Sequence, residues 1–328
     1  MSDSDRESTV VVTGGAGAIG SMLVRRLLER ADEVRVVDNL SSGRREHLVP
    51  SRSGKEAHLT VADLKEPGSY TPQFRGASTV WHLAANPDIR KGFAEPRIDF
   101  DEGASATFNV LEAARKHDVK RVAFSSSSVV YGRPTVFPTP EEYGPLLPQS
   151  QYGAAKLGAE GLLSAFAHSY GLTAYIFRFA NVIGPNMTHG ILPDFFEKLR
   201  ADPGRLEVLG DGRQAKSYLR TEDCVDGMLL ATDRAHDLVN LYNLGNVDQI
   251  SVREIAEKVV VAHGGRARIE YTGGERGWVG DIPLQLLAIQ RIQALGWKPR
   301  WNSAEAVDQS IADMAGSRRH RSPGGRRV

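Results

Sequence analysis

The stretch Thr13-Gly14-Gly15-Ala16-Gly17-Ala18-Ile19-Gly20 follows a largely apolar run at residues 9–12 and precedes Met22, Leu23, Leu27 and Leu28, spaced as one face of a helix. Strand, tight turn and helix in this order are the opening of a dinucleotide site. Gly14, Gly17 and Gly20 recur every three residues. Side chains are therefore absent where the backbone turns, where a pyrophosphate approaches, and where helix packs on strand. The open amides at the helix start, reinforced by the helix dipole, favour a phosphate. Asp38 ends the next apolar run (Val34, Val36, Val37), 18 residues after Gly20. There a carboxylate can accept both ribose hydroxyls of an adenosine.

Outward from this turn, short apolar runs at 10–13, 34–38, 58–62, 79–84, 122–125 and 173–179 alternate with helical patterns. That alternation predicts an α/β fold, a doubly wound parallel sheet of Rossmann type, with ligand contacts at the carboxyl edge of the strands. Asp63-Leu64 follows the third run and can meet an adenine. Leu83-Ala84-Ala85 follows the fourth and is small enough to admit a cofactor against the backbone. After Gly184 the rhythm breaks at Pro185, Pro193, Pro203, Gly210 and Gly212, which predicts a smaller interleaved α/β substrate domain. Leu241 to Leu244 reads as one more strand returning to the sheet. Ser251 and Glu254 have capping-box spacing ahead of a helix. The expected division is 1–183 for the dinucleotide domain, with a returning segment near 217–246, then 184–316 mostly for substrate, and a basic, disordered tail at 317–328.

The net charge of +1 hides an uneven distribution. Arg318, Arg319, Arg321, Arg326 and Arg327 crowd the last eleven residues, which leaves 36 basic against 40 acidic residues before them. A mildly acidic body gives no nucleic-acid surface. Cys224 is the single cysteine, so an internal disulfide and a cysteine-based zinc site are excluded, and no metal is expected. Its place in the pattern Asp223, Val225, Met228, Leu229 suits a small buried residue. The first eight residues are polar, and no apolar stretch is long enough to span a membrane. The expected location is cytoplasmic, without membrane contact.

Tyr152-Gly153-Ala154-Ala155-Lys156 opens a helix signalled by Pro148 and Ser150, and a separation of four puts phenol and ammonium on one face. A free tyrosine, with a pKa of about 10, is a poor base near neutrality unless a fixed positive charge lowers that value. Lys156 is such a charge. Alone, the pair is also compatible with a surface contact. A third polar group stands in Phe124-Ser125-Ser126-Ser127-Ser128, where the fifth strand ends. A hydroxyl there can bond the same substrate oxygen as Tyr152, or it can satisfy its own loop.

Together these stretches resemble an extended short-chain dehydrogenase/reductase of the nucleotide-sugar 4-epimerase group, the UDP-glucose 4-epimerase family. The resemblance rests on Thr13-Gly14-x-x-Gly17-x-x-Gly20, Asp38-Asn39, Asp63-Leu64, His82-Leu83-Ala84-Ala85, Ser125-Ser126-Ser127, Tyr152-x-x-x-Lys156 and Arg178-Phe179-Ala180-Asn181-Val182-x-Gly184-Pro185. Leu209-Gly210-Asp211-Gly212, Lys216-Ser217-Tyr218, Arg276-Gly277-Trp278-Val279-Gly280-Asp281 and Leu295-Gly296-Trp297 extend it.

The resemblance implies NAD, held by Gly14, Gly17, Ala18, Ile19, Gly20, Asp38, Asn39, Ser42, Gly43, Asp63, Leu64, Leu83, Ala84, Ala85, Tyr152 and Lys156. It implies Ser127 as the substrate-orienting hydroxyl, Tyr152 as acid/base, and Lys156 as the group that tunes Tyr152 and binds the nicotinamide ribose. Substrate contacts are implied for Ser127, Tyr152, Asn181, Lys216 and Arg276. Lys216 stands where many members have arginine, which keeps the charge and loses the bidentate fork. Asp101-Glu102-Gly103-Ala104 departs from the family pattern, which has an asparagine ahead of Thr107 and Asn109. The implied reaction is transient oxidation at C4 of a UDP-glucose/UDP-galactose substrate. UDP-N-acetylglucosamine and UDP-glucuronate are alternative substrates. A sugar-nucleotide dehydratase or decarboxylase, or a non-catalytic nucleotide sensor, is an alternative function. A homodimer is implied through residues 104–117 and 151–168, with Phe108, Leu111, Leu157, Leu162 and Phe166 as candidate contacts.

Overall fold

The structure is a computed structural model that describes residues 7–278 and 280–319. Seven strands form one sheet: β1 (Glu7–Thr13), β2 (Ala31–Asp38), β3 (His58–Val61), β4 (Thr79–His82), β5 (Arg121–Ser127), β6 (Thr173–Phe179) and β7 (Val239–Leu244). Their order is β7-β6-β5-β4-β1-β2-β3, and each neighbouring pair is parallel. Parallel neighbours need crossovers, and these place helices on both faces. α1 (Ala18–Leu27) and α5 (Thr221–Arg234) cover one face. α2 (Ala106–Lys116) and α3 (Gln151–Tyr170) cover the other.

The period of two along each strand sorts the core. Val10, Val12, Val34, Val36, Tyr175 and Phe177 pack with Leu23, Leu27 and Met228. Val11, Val37, Val122, Phe124 and Ile176 face Leu111, Leu163 and Ala167. Both sides of the sheet are thus closed to water, which suits the near-continuous apolar runs of the strands. β7 is the returning strand anticipated from Leu241 to Leu244. α6 (Val252–Ala262) begins at the Ser251/Glu254 capping box. Cys224 is buried in the core beside Val225 and Met228.

The strand order reverses between β1 and β4, whose carboxyl ends meet at Thr13 opposite His82. A crevice opens at such a switch point. Beyond the main sheet, Asn181–Ile183 pairs with Tyr218–Arg220, and Ala215–Lys216 lies between Ile250–Ser251 and Leu284–Gln285. The register sets Gln285 against Lys216. These short sheets rest on a third core of Phe195 and Phe196 from α4 (Ile191–Ala201) with Leu206, Ile255, Val259 and Val307. α7 (Ser303–Arg319) runs three residues into the expected tail, and residues 320–328 lie outside those described. Among the described residues, no helix is long and apolar enough to cross a membrane.

Candidate active site

A cavity of about 610 Å³ follows the carboxyl edge of the sheet from the glycine turn to the short strands. Gly14 has φ +69°, and a Cβ there would stand 2.7 Å from the Ala84 nitrogen. The turn and the Leu83-Ala84-Ala85 segment are therefore in backbone contact, which no larger residue permits. Gly17 caps α1 without a side-chain hydrogen bond, so the helix start faces the cavity as backbone. Asp38 ends β2 at 7% exposure; its Oδ2 accepts from the Ala16 amide at 2.9 Å and its Oδ1 from the Leu40 amide at 2.8 Å. Those two bonds aim the carboxylate along the cavity wall. Ala18, Ile19, Gly20, Asn39, Ser42, Asp63, Leu64 and Ala85 line the same cavity. Gly43 is not in the lining; it lies against Ala16, which a Cβ would meet at 2.8 Å.

Leu64 is held from α2, because the Asn109 amide donates to its carbonyl at 3.0 Å. Thr107, the other surviving residue of that pattern, donates to the Gly103 carbonyl at 2.7 Å and lies 3.0 Å from His82 Nε2. With its proton committed to Gly103, Thr107 accepts from Nε2. Nδ1 of His82 is then bare and accepts from the Thr13 hydroxyl at 2.7 Å. Burial pushes His82 down to about 3, and the Lys156 charge adds to this, so the ring is neutral. The chain from Thr13 through His82 to Thr107 ties the ends of β1 and β4 to the start of α2. The stretch 101–104 holds no asparagine where the resemblance leads one to expect one; at its Gly103 a Cβ would meet Ala155 at 2.8 Å.

α3 starts where Ser150 accepts from the Gly153 amide at 3.1 Å, and it ends at Gly171, whose φ of +71° suits only glycine without strain. Tyr152 and Lys156 in its first turns both line the cavity, as does Ser127 at the end of β5. Lys156 is 3% exposed and donates to the Ser125 carbonyl at 2.5 Å. Its ammonium stands 4.7 Å from the Phe124 ring centre and 5.6 Å from that of Tyr152. Burial brings the ammonium down to about 7, against the opposing charge of Glu160. Tyr152 differs from the sequence expectation. Burial pushes its phenol above the ordinary tyrosine range, and the Asp99 carboxylate adds to this. The cost of burying a phenolate outweighs the lysine nearby, so the chain's own groups favour the protonated form.

At the far end, Asn181 and Lys216 line the cavity beside Gln285 and Asp281. Asn181 donates to the Ser217 carbonyl and to Gln285 Oε1, each at 3.2 Å. Lys216 is not a free cation, because its Nζ lies 2.6 Å from Asp281 Oδ1. Arg276 is exposed and is not among the lining residues, whereas Gly277 and Trp278 are. Trp278, on the cavity wall, meets Phe93 edge to face at 5.6 Å. Sequence reasoning missed Glu160 and Gln285, and it singled out Trp278 and Asp281 only within a resembling stretch, without their contacts to Phe93 and Lys216. Only Glu160 left a local signal, a charge four residues beyond Lys156 on the helix face that carries it.

A glycine cradle at the switch point, a carboxylate after β2, a serine-ended β5 and a Tyr-x-x-x-Lys helix around one cavity define an extended short-chain dehydrogenase/reductase. The chain belongs to the NAD dependent epimerase/dehydratase family, which it matches over residues 10–245. It is 30% identical over 315 residues to a putative UDP-glucose 4-epimerase of Methanocaldococcus jannaschii, covering 94% of this chain and 99% of that protein. Among solved structures, a UDP-galactose 4-epimerase is 43% identical with a TM-score of 0.85, covering 94% of this chain and 99% of that one. A double mutant of a dTDP-glucose 4,6-dehydratase from Streptomyces venezuelae, solved with NAD bound, is 27% identical with a TM-score of 0.85, covering 95% and 98%. The chain is thus an enzyme of an NAD-dependent family, and its cradle fits that cofactor. Gly14 lets the turn close on Ala84, Gly17 carries no side chain where a pyrophosphate would lie at the start of α1, and the Asp38 carboxylate would favour a free ribose hydroxyl over a phosphate.

Proposed function

We propose that this enzyme is a UDP-hexose 4-epimerase, with UDP-galactose and UDP-glucose as its substrate pair. The observation that carries this reading is the single cavity that joins the NAD cradle to Tyr152, Lys156 and Ser127, and these in turn to Asn181 and Lys216. One wall suits a dinucleotide and the other a second nucleotide, with a tyrosine between them. NAD, when bound in this cradle, would supply reversible hydride acceptance at the sugar C4. Tyr152 takes the 4-hydroxyl proton as C4 is oxidised and gives it back to the 4-keto oxygen after the sugar has turned over. Ser127 donates to that oxygen while it is a carbonyl. Lys156 holds its charge beside the phenol and so favours the phenolate that must form transiently. Asn181 and Gln285 face the diphosphate end, and Lys216 reaches it already partnered by Asp281.

The family also contains dehydratases. Removing water needs an additional acid and base, and the segment Ser128–Tyr131 that leaves β5 carries no carboxylate. This supports epimerisation.

The choice of hexose is a matter of charge and room. The stretch 185–193 carries His189 and no arginine or lysine. Burial lowers the proton affinity of His189. Arg90 does reach the cavity wall, yet its Nε lies 3.3 Å from Asp88 Oδ1, so that pair adds no net charge. A neutral sugar suits this wall better than a uronate. Side-by-side kcat/KM values for UDP-galactose, UDP-N-acetylgalactosamine and UDP-galacturonate test the reading, with UDP-galactose expected to be best. A tenfold preference for the uronate, roughly 1.4 kcal/mol of transition-state binding, would overturn it.

We also propose that the enzyme is a homodimer. Of the five apolar residues named for that contact, Leu111 and Phe166 are buried in the core of the protomer, whereas Phe108 is 45% exposed. Phe108 meets Phe166 edge to face, and Phe166 meets Tyr170, so an aromatic ridge runs along α2 and α3. A second copy would cover it. Light scattering at micromolar concentration should give twice the chain mass, and a monomer mass refutes the dimer.

A further inference from the structure

Behind the reacting pair lies a buried charged cluster for which the reaction described so far has no use. α3 turns Lys156 and Glu160 toward the sheet, because residues four apart share a helix face. Glu160 is 7% exposed and is held from two strands. From β5, the Ser126 hydroxyl donates to its Oε1 at 2.5 Å. From β6, Arg178 donates through Nε to Oε1 at 3.0 Å and through Nη2 to Oε2 at 2.7 Å. Arg178 stands in register with Ser126, and its Nη1 donates to the Glu141 carbonyl at 3.1 Å. The three serines that end β5 therefore differ in task. The Ser125 carbonyl takes the Lys156 ammonium, the Ser126 hydroxyl takes Glu160, and Ser127 faces the cavity.

A buried glutamate–arginine pair is roughly neutral for stability when compared with apolar residues of the same volume. Its effect on a third charge is another matter, since interactions between charges are strong where water is excluded. Lys156 is faced on its own helix by Tyr152 and Glu160, from β5 by the Phe124 ring and the Ser125 carbonyl, and from β4 by the neutral His82. Glu160 is the one negative charge among these groups. Both of its oxygens are tied by Ser126 and Arg178, so it cannot fold back onto the ammonium.

We propose that Glu160 is a positioning residue for Lys156, a pinned negative charge that keeps the buried ammonium protonated and free to serve Tyr152 and the cofactor ribose. This rests on Tyr152 and Lys156 being the reacting pair. Burial and Glu160 act on Lys156 in opposite directions, so removing the carboxylate charge lowers the pH at which the lysine loses its proton. The alkaline limb of kcat then moves to lower pH.

Two variants separate charge from shape. Glu160→Gln keeps the shape and removes the charge; Arg178→Lys keeps the charge and removes the fork. The proton affinity of Lys156 is read by NMR titration of NAD-loaded protein carrying 13Cε-labelled lysine, with the signal assigned by its loss in Lys156→Met. Glu160→Gln should lower the Lys156 midpoint, and the alkaline limb of kcat with it, by about one pH unit or more. Arg178→Lys should leave both near the wild-type value. Midpoints unchanged in both variants, or lowered equally in both, overturn the proposal. If Glu160→Gln does not fold, the double variant Glu160→Gln/Arg178→Gln removes both members of the ion pair, so neither is left buried without the other, and its midpoint should also fall; an unchanged midpoint there is equally fatal. The NMR midpoint needs no sugar substrate. A wild type that converts no UDP-hexose would refute the epimerase reading and leave this measurement standing.

Discussion

Replacing Tyr152 with Phe should lower kcat for UDP-galactose by roughly 100- to 10,000-fold, the usual reach of a general acid/base, while the protein keeps its bound NAD. The substitution removes one oxygen from the first turn of α3 and leaves the ring over which Lys156 is placed. The Ser150 cap and the Lys156 bond to the Ser125 carbonyl do not involve that oxygen. Melting temperature and NAD content, measured by acid release, should therefore stay close to wild type. A Tyr152→Phe enzyme with near wild-type turnover would mean that another group moves the proton. Loss of NAD together with activity would mean that the phenol acts in binding, and the acid/base role would fall.

Gly20→Ala should be the most damaging single methyl in the dinucleotide wall. Its Cβ would stand 2.1 Å from the Gly14 carbonyl oxygen and 2.8 Å from the Gly15 Cα, all backbone atoms of the turn itself. No rotamer relieves such a clash. The turn must open, at a cost of about 1–3 kcal/mol for overpacking, and the amides at the start of α1 then leave their line. Purified Gly20→Ala should carry little NAD and melt at lower temperature. Gly161→Ala is the matched control, because a Cβ there meets nothing within 4 Å on the exposed side of α3. It should be neutral, or stabilising by up to about 1 kcal/mol through helix propensity. Equal NAD content and melting in the two variants would show that the turn tolerates displacement.

Much of the fold and part of the site can be read from short-range patterns. Glycines three residues apart, a carboxylate at a strand end and a tyrosine four residues before a lysine each describe a few turns of backbone. Such geometry is set by local sterics and helical periodicity, so the cradle and the Tyr152–Lys156 face are legible before any packing is known. The alternation of strands and helices likewise prescribes crossovers and hence a parallel sheet. Even the returning strand β7 and the cap at Ser251 carry local signals.

Tertiary structure alone decided which charges meet and which groups leave water. Lys216 and Asp281 are 65 residues apart and Glu160 and Arg178 are 18 apart, and no local rule links either pair. Packing of α3 on β6 brings the second pair together, and the chain that leads into Leu284–Gln285, paired with Ala215–Lys216, brings Asp281 to Lys216. The same holds for Leu111, which is buried while Phe108 on the same helix stays exposed, and for Arg276, whose neighbours enter the cavity when it does not. Proton affinity is the sharpest case. The sequence places a lysine beside Tyr152 and so suggests an acidified phenol. The fold buries both groups, and desolvation, which depends on every element packed around them, reverses the direction for the tyrosine and brings the lysine near neutrality.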